Sequence, residues 1–294
     1  MKIIVTIPAY NEERSIGKVI SEVNGVMKSN KYNFSVLVVD DGSKDKTREV
    51  AQDAGAIVYS HPINYGLAET FKTEVRQCVK LGADIIVHFD ADGQYLAEDI
   101  PKLVEEVKNG NDLVLGSRFR GKIEEMSLLR RIGNIMFSKV ISQVTRMRVS
   151  DAQTGFRAFT KEAAERIAII SNFTYTQEQI IRAAREKFRI KEVPITFAKR
   201  RHGKSRLFRH PLTFALRAGI NILRIYRDYE PLKFFGAFGA LFFVPGFLIG
   251  LWLVYLFLTT GVVGRLPFAM LTVLLISIGA QIWLFGFLAD MMRK

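Results

Sequence analysis

Short apolar runs bounded by turn residues recur at Ile3–Ile7, Ser35–Val39, Ala56–Tyr59, Asp84–Phe89 and Asp112–Leu115. Between them, apolar residues return every three or four positions over Arg14–Lys28, Lys46–Ala54, Leu67–Leu81 and Ala97–Lys108, and a further helix is expected over Ser127–Arg146. Strands apolar on both faces that alternate with helices predict an α/β domain with a mainly parallel sheet flanked by helices. The pattern then changes. Phe234 to Gly264 holds no charged residue, and neither does Leu266 to Ala289. Each run exceeds the roughly 20 residues needed to cross a bilayer core, which predicts two transmembrane helices joined by a turn near Gly261–Pro267. Two buried core helices are the alternative, but they would leave no polar face. Just before them, in and beside Pro211–Arg227, His210, Thr213, Arg217, Asn221 and Arg224 share one helical face and the rest is largely apolar. That pattern suits a helix lying in a membrane interface of anionic headgroups, or alternatively one packed on the soluble domain. The expected organisation is a domain over 1–206, a basic amphipathic region over 207–231, and spans over 232–260 and 266–290.

Charge sharpens this division. The 294 residues carry 42 Lys and Arg against 29 Asp and Glu, net +13, of which residues 199–233 supply +8 from ten basic and two acidic side chains. No DNA- or RNA-binding motif accompanies these charges, so a membrane or phosphate partner is expected and nucleic acid is not. The basic stretch precedes the first run, Arg293 and Lys294 follow the second, and only Arg265 lies between. By the positive-inside rule both termini and the N-terminal domain are expected in the cytoplasm. Lys2 is followed by only a short apolar strand, not by a signal peptide. The single cysteine, Cys78, excludes an internal disulfide or a Cys-rich zinc site, and the four histidines lack ligand spacing.

Three expected strand ends carry chemistry. They are Pro8-Ala9-Tyr10-Asn11-Glu12-Glu13, Asp40-Asp41-Gly42-Ser43 and Asp90-Ala91-Asp92-Gly93-Gln94. Each alone reads as a helix cap or a turn. Together they fall at the carboxyl ends of strands of one sheet, where ligands bind in such folds. Asp90, Asp92 and the amide oxygen of Gln94 offer hard oxygen ligands for Mg²⁺ or Mn²⁺, ions usually held by one or two carboxylates plus substrate phosphates. A diphosphate-bearing substrate follows. Neither a Gly-x-x-x-x-Gly-Lys-Ser/Thr loop nor a Gly-x-Gly-x-x-Gly fingerprint is present, which removes support for a P-loop ATPase or a nicotinamide dehydrogenase.

These motifs, with Asn64-Tyr65-Gly66 and Gly116-Ser117-Arg118-Phe119, resemble the family-two glycosyltransferases of the GT-A fold. More narrowly they resemble polyprenyl-phosphate sugar synthases of the dolichol-phosphate mannose or glucose synthase type. The resemblance covers residues 1 to about 210. It implies that Pro8, Tyr10, Glu12, Val38, Asp40, Asp90 and Ala91 hold the nucleotide, and that Asp90, Asp92 and Gln94 are metal ligands. Arg118 matches an arginine near the transferred sugar and acceptor phosphate. Arg200 and Arg206 match two cations of a loop over the donor diphosphate, although several relatives carry lysine at the second. On the same reading Asp92, Arg118 and Arg206 are catalytic, Arg118 and Arg131 meet the acceptor phosphate, and Asp151–Arg157 looks like the D-x-x-x-G-F-R segment. Glu178 falls near the acidic position that acts as base in many relatives. No Q-x-x-R-W motif occurs, so single transfer is expected rather than polymerisation.

The implied reaction moves one hexose from a nucleotide sugar to a polyprenyl phosphate with inversion. GDP-mannose, UDP-glucose and UDP-N-acetylglucosamine all suit it. A phosphate monoester is largely a dianion at neutral pH and needs no general base, so Glu178 is expected to orient a basic side chain. Arg130 and Arg131 either grip the acceptor phosphate or face headgroups, Arg118 is otherwise a surface residue after an edge strand, and His88 and Cys78 are expected in the core. Another lipid or soluble acceptor, a nucleotidyltransferase, and a non-catalytic nucleotide-sugar-binding module are the competing readings. A homo-oligomer through the spans is compatible with the sequence.

Overall fold

The structure, a computed structural model, describes residues 1–170, 175–199, 220, 223–262 and 266–292. Contacts divide the chain into Met1–Pro211 and Leu212–Lys294. In the first unit the described strands are β1 (Lys2–Ala9), β2 (Asn33–Asp40), β3 (Ile57–Ser60), β4 (Ile85–His88), β5 (Leu113–Ile123), β6 (Arg157–Thr160) and β7 (Ile190–Phe197). The helices are α1 (Ile16–Ser29), α2 (Thr47–Asp53), α3 (Leu67–Lys80), α4 (Ile100–Lys108), α5 (Leu128–Thr145), α6 (Lys161–Arg166) and α7 (Tyr175–Arg185). The sheet order is β3-β2-β1-β4-β6-β5-β7, and every neighbouring pair is parallel except those made by β6. The mainly parallel, helix-flanked sheet expected from the sequence is the one observed.

β1 is central and apolar on both faces. Ile3, Val5 and Ile7 pack on one side with Ile16 and Ile20 of α1 and Leu103 and Val104 of α4. Ile4 is also fully buried, and α3, which packs along β1 and β2, buries Phe71 and Cys78. Two strands escaped the sequence reading. β6 is four residues long and includes a wholly buried Arg157. β7 carries Lys191, Glu192 and Pro194, and it lies at the sheet edge, where a strand proline is tolerated. Ser127 and Arg146 cap α5: the Ser127 hydroxyl accepts from the Arg130 amide at 3.4 Å, and Arg146 adopts φ 55°.

In the second unit α8 (Pro231–Thr260) and α9 (Leu266–Met291) are long and apolar enough to cross a membrane, with mean hydropathies of 2.3 and 2.1. Only 11% of each apolar window is buried, so the buried-core alternative fails. They pack on each other through small residues: Gly239 and Gly246 on α8, and Gly279 and Gly286 on α9, are closely approached by the opposite helix. Trp283 Nε1 donates to the Gly236 carbonyl at 3.1 Å. Most of the expected interfacial segment lies outside the described residues; 223–229 are helical.

β5 runs on past Leu115 and regains β7 after an irregularity between Ser117 and Lys122. The two strands come so close there that a Cβ at Gly121 would overlap the Ile195 carbonyl oxygen. Gly121→Ala is expected to cost about 2 kcal/mol by overpacking. Denaturant unfolding of the full chain in detergent measures it, and unchanged stability would contradict the close approach.

Candidate active site

The strand order β2-β1-β4 brings the three sequence motifs to one edge. Ala9 pairs with Asp40, and Phe89, just past β4, donates to the Thr6 carbonyl at 2.9 Å. Asp40 and Asp90 therefore flank the end of β1. The loops after β1 and β2 are tied together. The Asn11 amide donates to Ser43 Oγ (2.8 Å), the Lys44 amide to Asn11 Oδ1 (2.8 Å), the Glu12 amide to Thr47 Oγ1 (2.8 Å) and the Lys46 amide to Glu13 Oε2 (3.1 Å). Asn11 adopts φ 53°, a conformation asparagine tolerates better than most residues.

Within this wall the candidate donor residues differ. Asp40 is buried and its Oδ1 accepts from the Ser43 amide at 3.1 Å. Glu12 Oε2 accepts from Ser15 Oγ at 2.6 Å, and Pro8 and Tyr10 are half-buried. Val38 is wholly buried in the core and Ala91 nearly so; their side chains support the strands beneath the rim and have no open face toward a base. Asp41, which the sequence reading gave no separate role, staples the Asn64-Tyr65-Gly66 loop. It accepts from the Tyr65 and Gly66 amides (2.9 and 2.8 Å) and faces His61 Nδ1 at 2.8 Å.

At the end of β4 the Asp90 side chain is one-third exposed. Gly155 makes room for it, since a Cβ there would lie 3.0 Å from both carboxylate oxygens. Burial first, then the charge of Asp92, pushes Asp90 up to about 6, while His88 and Arg118 pull it back. Asp92 Oδ1 accepts from the Gln94 amide at 3.0 Å, and the buried Gln94 side chain directs Nε2 toward the Ala198 carbonyl. Among the described residues no three His, Cys, Asp or Glu side chains gather into a metal cluster. Two carboxylates and an amide oxygen suit a magnesium-type ion whose remaining ligands are water and substrate phosphate.

Arg118 is not a surface residue, because β5 lies between β6 and β7. Its guanidinium is buried and doubly bonded to Asp151 (Nε–Oδ2 2.7 Å, Nη2–Oδ1 2.8 Å), and its amide donates to the same carboxylate at 3.0 Å. Burial alone would lower its pKa; Asp151 holds it above the ordinary value. The Arg118 and Arg130 guanidinium carbons lie 5.2 and 5.7 Å from the Phe197 ring centroid. Arg130 is thus the α5 arginine brought beside Arg118; Arg131, the one singled out from sequence, is exposed. Glu178 is buried and accepts from Arg182 Nε at 2.8 Å and from the Ile170 amide at 3.0 Å, so it does hold a basic side chain. His88 and Cys78 are in the core. Arg200 and Arg206 lie outside the described residues.

Sequence reasoning missed what holds these groups. Glu192 of β7 accepts from the Ser150 and Asp151 amides at 2.8 and 3.1 Å, fixing the segment that carries Asp151. Arg157, wholly buried, donates to Gln179 Oε1 at 2.8 Å, the Thr176 carbonyl at 3.1 Å and the Thr154 carbonyl. These partners come from separate elements, and only a three-dimensional arrangement pairs them.

Comparison with known proteins places the chain in a family. The family described as glycosyl transferase family 2 matches residues 4–168. The chain belongs to glycosyl transferase family 2. It is 31% identical over 216 residues to the UDP-N-acetylglucosamine–dolichyl-phosphate N-acetylglucosaminyltransferase of Methanococcus voltae, covering 66% of this chain and 84% of the relative. It is 29% identical over 301 residues to the dolichol-phosphate mannosyltransferase of Pyrococcus furiosus, covering 97% and 81%. The structure of glucosyl-3-phosphoglycerate synthase from Mycobacterium tuberculosis with Mn²⁺, UDP and phosphoglyceric acid matches with a TM-score of 0.60 at 20% identity, covering 76% and 77%. That likeness is one of fold.

The Arg118–Asp151 pair is a structural commitment with a measurable consequence. Asp151→Ala leaves a buried guanidinium unpaired and is expected to cost about 3 kcal/mol, whereas Arg118→Met combined with Asp151→Leu recovers most of that loss. Denaturant midpoints of the full chain in detergent measure both, and a tolerated Asp151→Ala would refute the assignment.

Proposed function

We propose that this chain transfers a single hexose from a nucleoside-diphosphate sugar to a membrane polyprenyl phosphate, with inversion. The observation that carries the reading is one sheet edge holding both the Asp40, Asp90 and Asp92 carboxylates and, close by, the Arg118 and Arg130 cations that converge on Phe197. The first group suits a nucleoside diphosphate with its cation, and the second suits a phosphate acceptor.

A divalent cation, Mg²⁺ or Mn²⁺, held by Asp92 with Asp90 and the Gln94 amide oxygen beside it, would neutralise charge on the departing nucleoside diphosphate. An oxygen of the acceptor phosphate attacks the anomeric carbon, the bond from that carbon to the donor diphosphate breaks, and its electron pair leaves with the diphosphate. The dianionic phosphate is nucleophile enough, so Glu178 stays with Arg182. Asp40 and the loop around Tyr10 and Glu12 orient the nucleoside. Arg130 meets the acceptor phosphate, with Arg118 fixed behind it and Arg131 turned to the headgroups. Arg200 and Arg206 are assigned to the donor diphosphate by their match to the family loop.

A lipid acceptor is supported by α8 and α9, by the dolichyl-phosphate relatives and by α5. Leu128, Leu129, Ile132, Ile135 and Met136 are exposed along α5, and no acidic residue occurs from Met126 to Ser150 while five basic ones do. Exposed apolar residues interspersed with cations fit a surface resting on anionic lipid. The positive-inside bias puts the catalytic domain and both termini in the cytoplasm.

The test is transfer in detergent with polyprenyl phosphate, Mg²⁺ or Mn²⁺, and labelled GDP-mannose, UDP-glucose or UDP-N-acetylglucosamine in turn. Label from one donor is expected in the lipid fraction, with a loss of about 100-fold in Asp92→Asn, abolition by a chelator and near-normal rates in Glu178→Gln. Label reaching only water or a soluble acceptor would overturn the lipid acceptor. A collapse of Glu178→Gln to the level of Asp92→Asn would overturn the base-free mechanism.

A further inference from the structure

Glu74 is a wholly buried acid with only one of its carboxylate oxygens hydrogen-bonded. It sits on α3 with no exposed surface; Oε2 lies 2.6 Å from His88 Nδ1, and Oε1 has no hydrogen-bond partner. Burial pushes its carboxyl up, and only His88 draws it back. His88, the last residue of β4, is equally buried. Its Nε2 lies 2.9 Å from Tyr175 Oη and 3.7 Å from Asp90 Oδ1. The ring cannot turn away, because Phe71 and Tyr175 meet it edge-on at 5.3 and 5.4 Å and stack on each other at 4.3 Å.

A buried ionisable pair gives little net stability, and apolar side chains of similar volume commonly replace one without loss. What distinguishes this pair is what it faces. Two buried basic side chains act on Asp90: Arg118, backed by Asp151, and His88, whose ring is held by Glu74 and lies 3.7 Å from it. The same His88 nitrogen also reaches Tyr175, the first residue of α7, the helix that carries Glu178.

We infer that Glu74 and His88 are positioning residues of the sugar-transfer site: Glu74 fixes the His88 ring so that its Nε2 edge lies against the Asp90 carboxylate and limits where that carboxylate can sit for the donor and its cation, and so that the same nitrogen ties α7 to this point through Tyr175. Neither residue touches substrate. The inference rests on the proposed reading of Asp90 as part of the donor and metal site. Partners of this kind change metal affinity or activity by roughly 10- to 100-fold when removed.

The experiment titrates Mn²⁺ by electron paramagnetic resonance into the full chain in detergent, with UDP in one series and GDP in another, alongside thermal melting. Glu74→Leu with His88→Leu removes both partners together and is expected to melt no lower than the wild type. Its Mn²⁺ affinity in the presence of nucleotide is expected to fall by about 10-fold or more, and KM for the donor to rise more than kcat falls. His88→Gln, which keeps a polar group beside Asp90 and Tyr175, is expected to bind better than His88→Leu. Wild-type affinity in a folded double variant would reduce the pair to packing and overturn the inference. Should the double variant not fold, equal affinities in His88→Gln and His88→Leu would overturn it as well. A wild type that binds no Mn²⁺ with either nucleotide removes the metal site and the inference together, whereas a binding wild type with an indifferent pair removes the inference alone.

Discussion

A carboxylate at the end of an apolar strand has to be compensated, and much of this domain is arranged to compensate Asp90. The strand that delivers it, β4, is buried along its whole length, so the charge arrives at the sheet edge with little water around it. Arg118 acts on it from β5, but its guanidinium is already paired with Asp151, and the His88 ring beside it on β4 has its Nδ1 taken by Glu74. Asp90 thus stays partly unneutralised, with Asp92 beside it adding to the repulsion. Such a site favours a positive ligand and disfavours a second anion, which is compatible with the proposed binding of a diphosphate together with a cation.

The remaining polar framework keeps that edge rigid. The loops after β1 and β2 satisfy one another's backbone amides, and Asp41 and Glu192 do the same for the 61–66 and 150–151 segments. Loops joined in this way hold their side chains in place before any substrate arrives, and so reduce the ordering that binding would otherwise require. The acidic residues around the site therefore divide into two kinds. Asp40, Asp90 and Asp92 lie at the rim, whereas Asp41, Asp151 and Glu192 hold backbone and cations beneath it.

The five strands whose apolar runs are nearly unbroken were legible in the sequence, four of them because burial within the sheet writes itself into composition and the edge strand β3 by its short β-branched and aromatic run. β6 and β7 were not. One is four residues long with a buried arginine, and the other mixes charge with Pro194 at the sheet edge, so neither shows a continuous apolar run. The rim aspartates were legible because strand ends in a parallel sheet share one edge. Their supports were hidden: Arg118 and Asp151 are 33 residues apart, and Glu74 and His88 come from a helix and a strand that meet only in the fold. The choice between Arg130 and Arg131 turns on helical phase relative to Phe197, which adjacent positions in a sequence do not reveal. Val38 shows the converse. A residue can sit in a motif because the strand beneath the site needs it, without any face toward a ligand.

Charge placement bears on how a lipid phosphate and a soluble nucleotide sugar would reach one site. The first 198 residues are close to neutral, net +3, so this domain has no large field to concentrate anions over its whole surface. Its cations are instead local: the acid-free stretch over 126–150, with α5 exposing apolar residues among them, and the basic run over 199–233 that leads to the membrane helices. Screening confines the influence of such charges to about 10 Å. Charges of that range suit headgroup phosphates at a membrane surface better than anions in bulk solution, which agrees with the lipid acceptor proposed above. A donor that brings a charge-neutralising cation, as proposed above, would rely less on long-range attraction and more on the preformed aspartate rim.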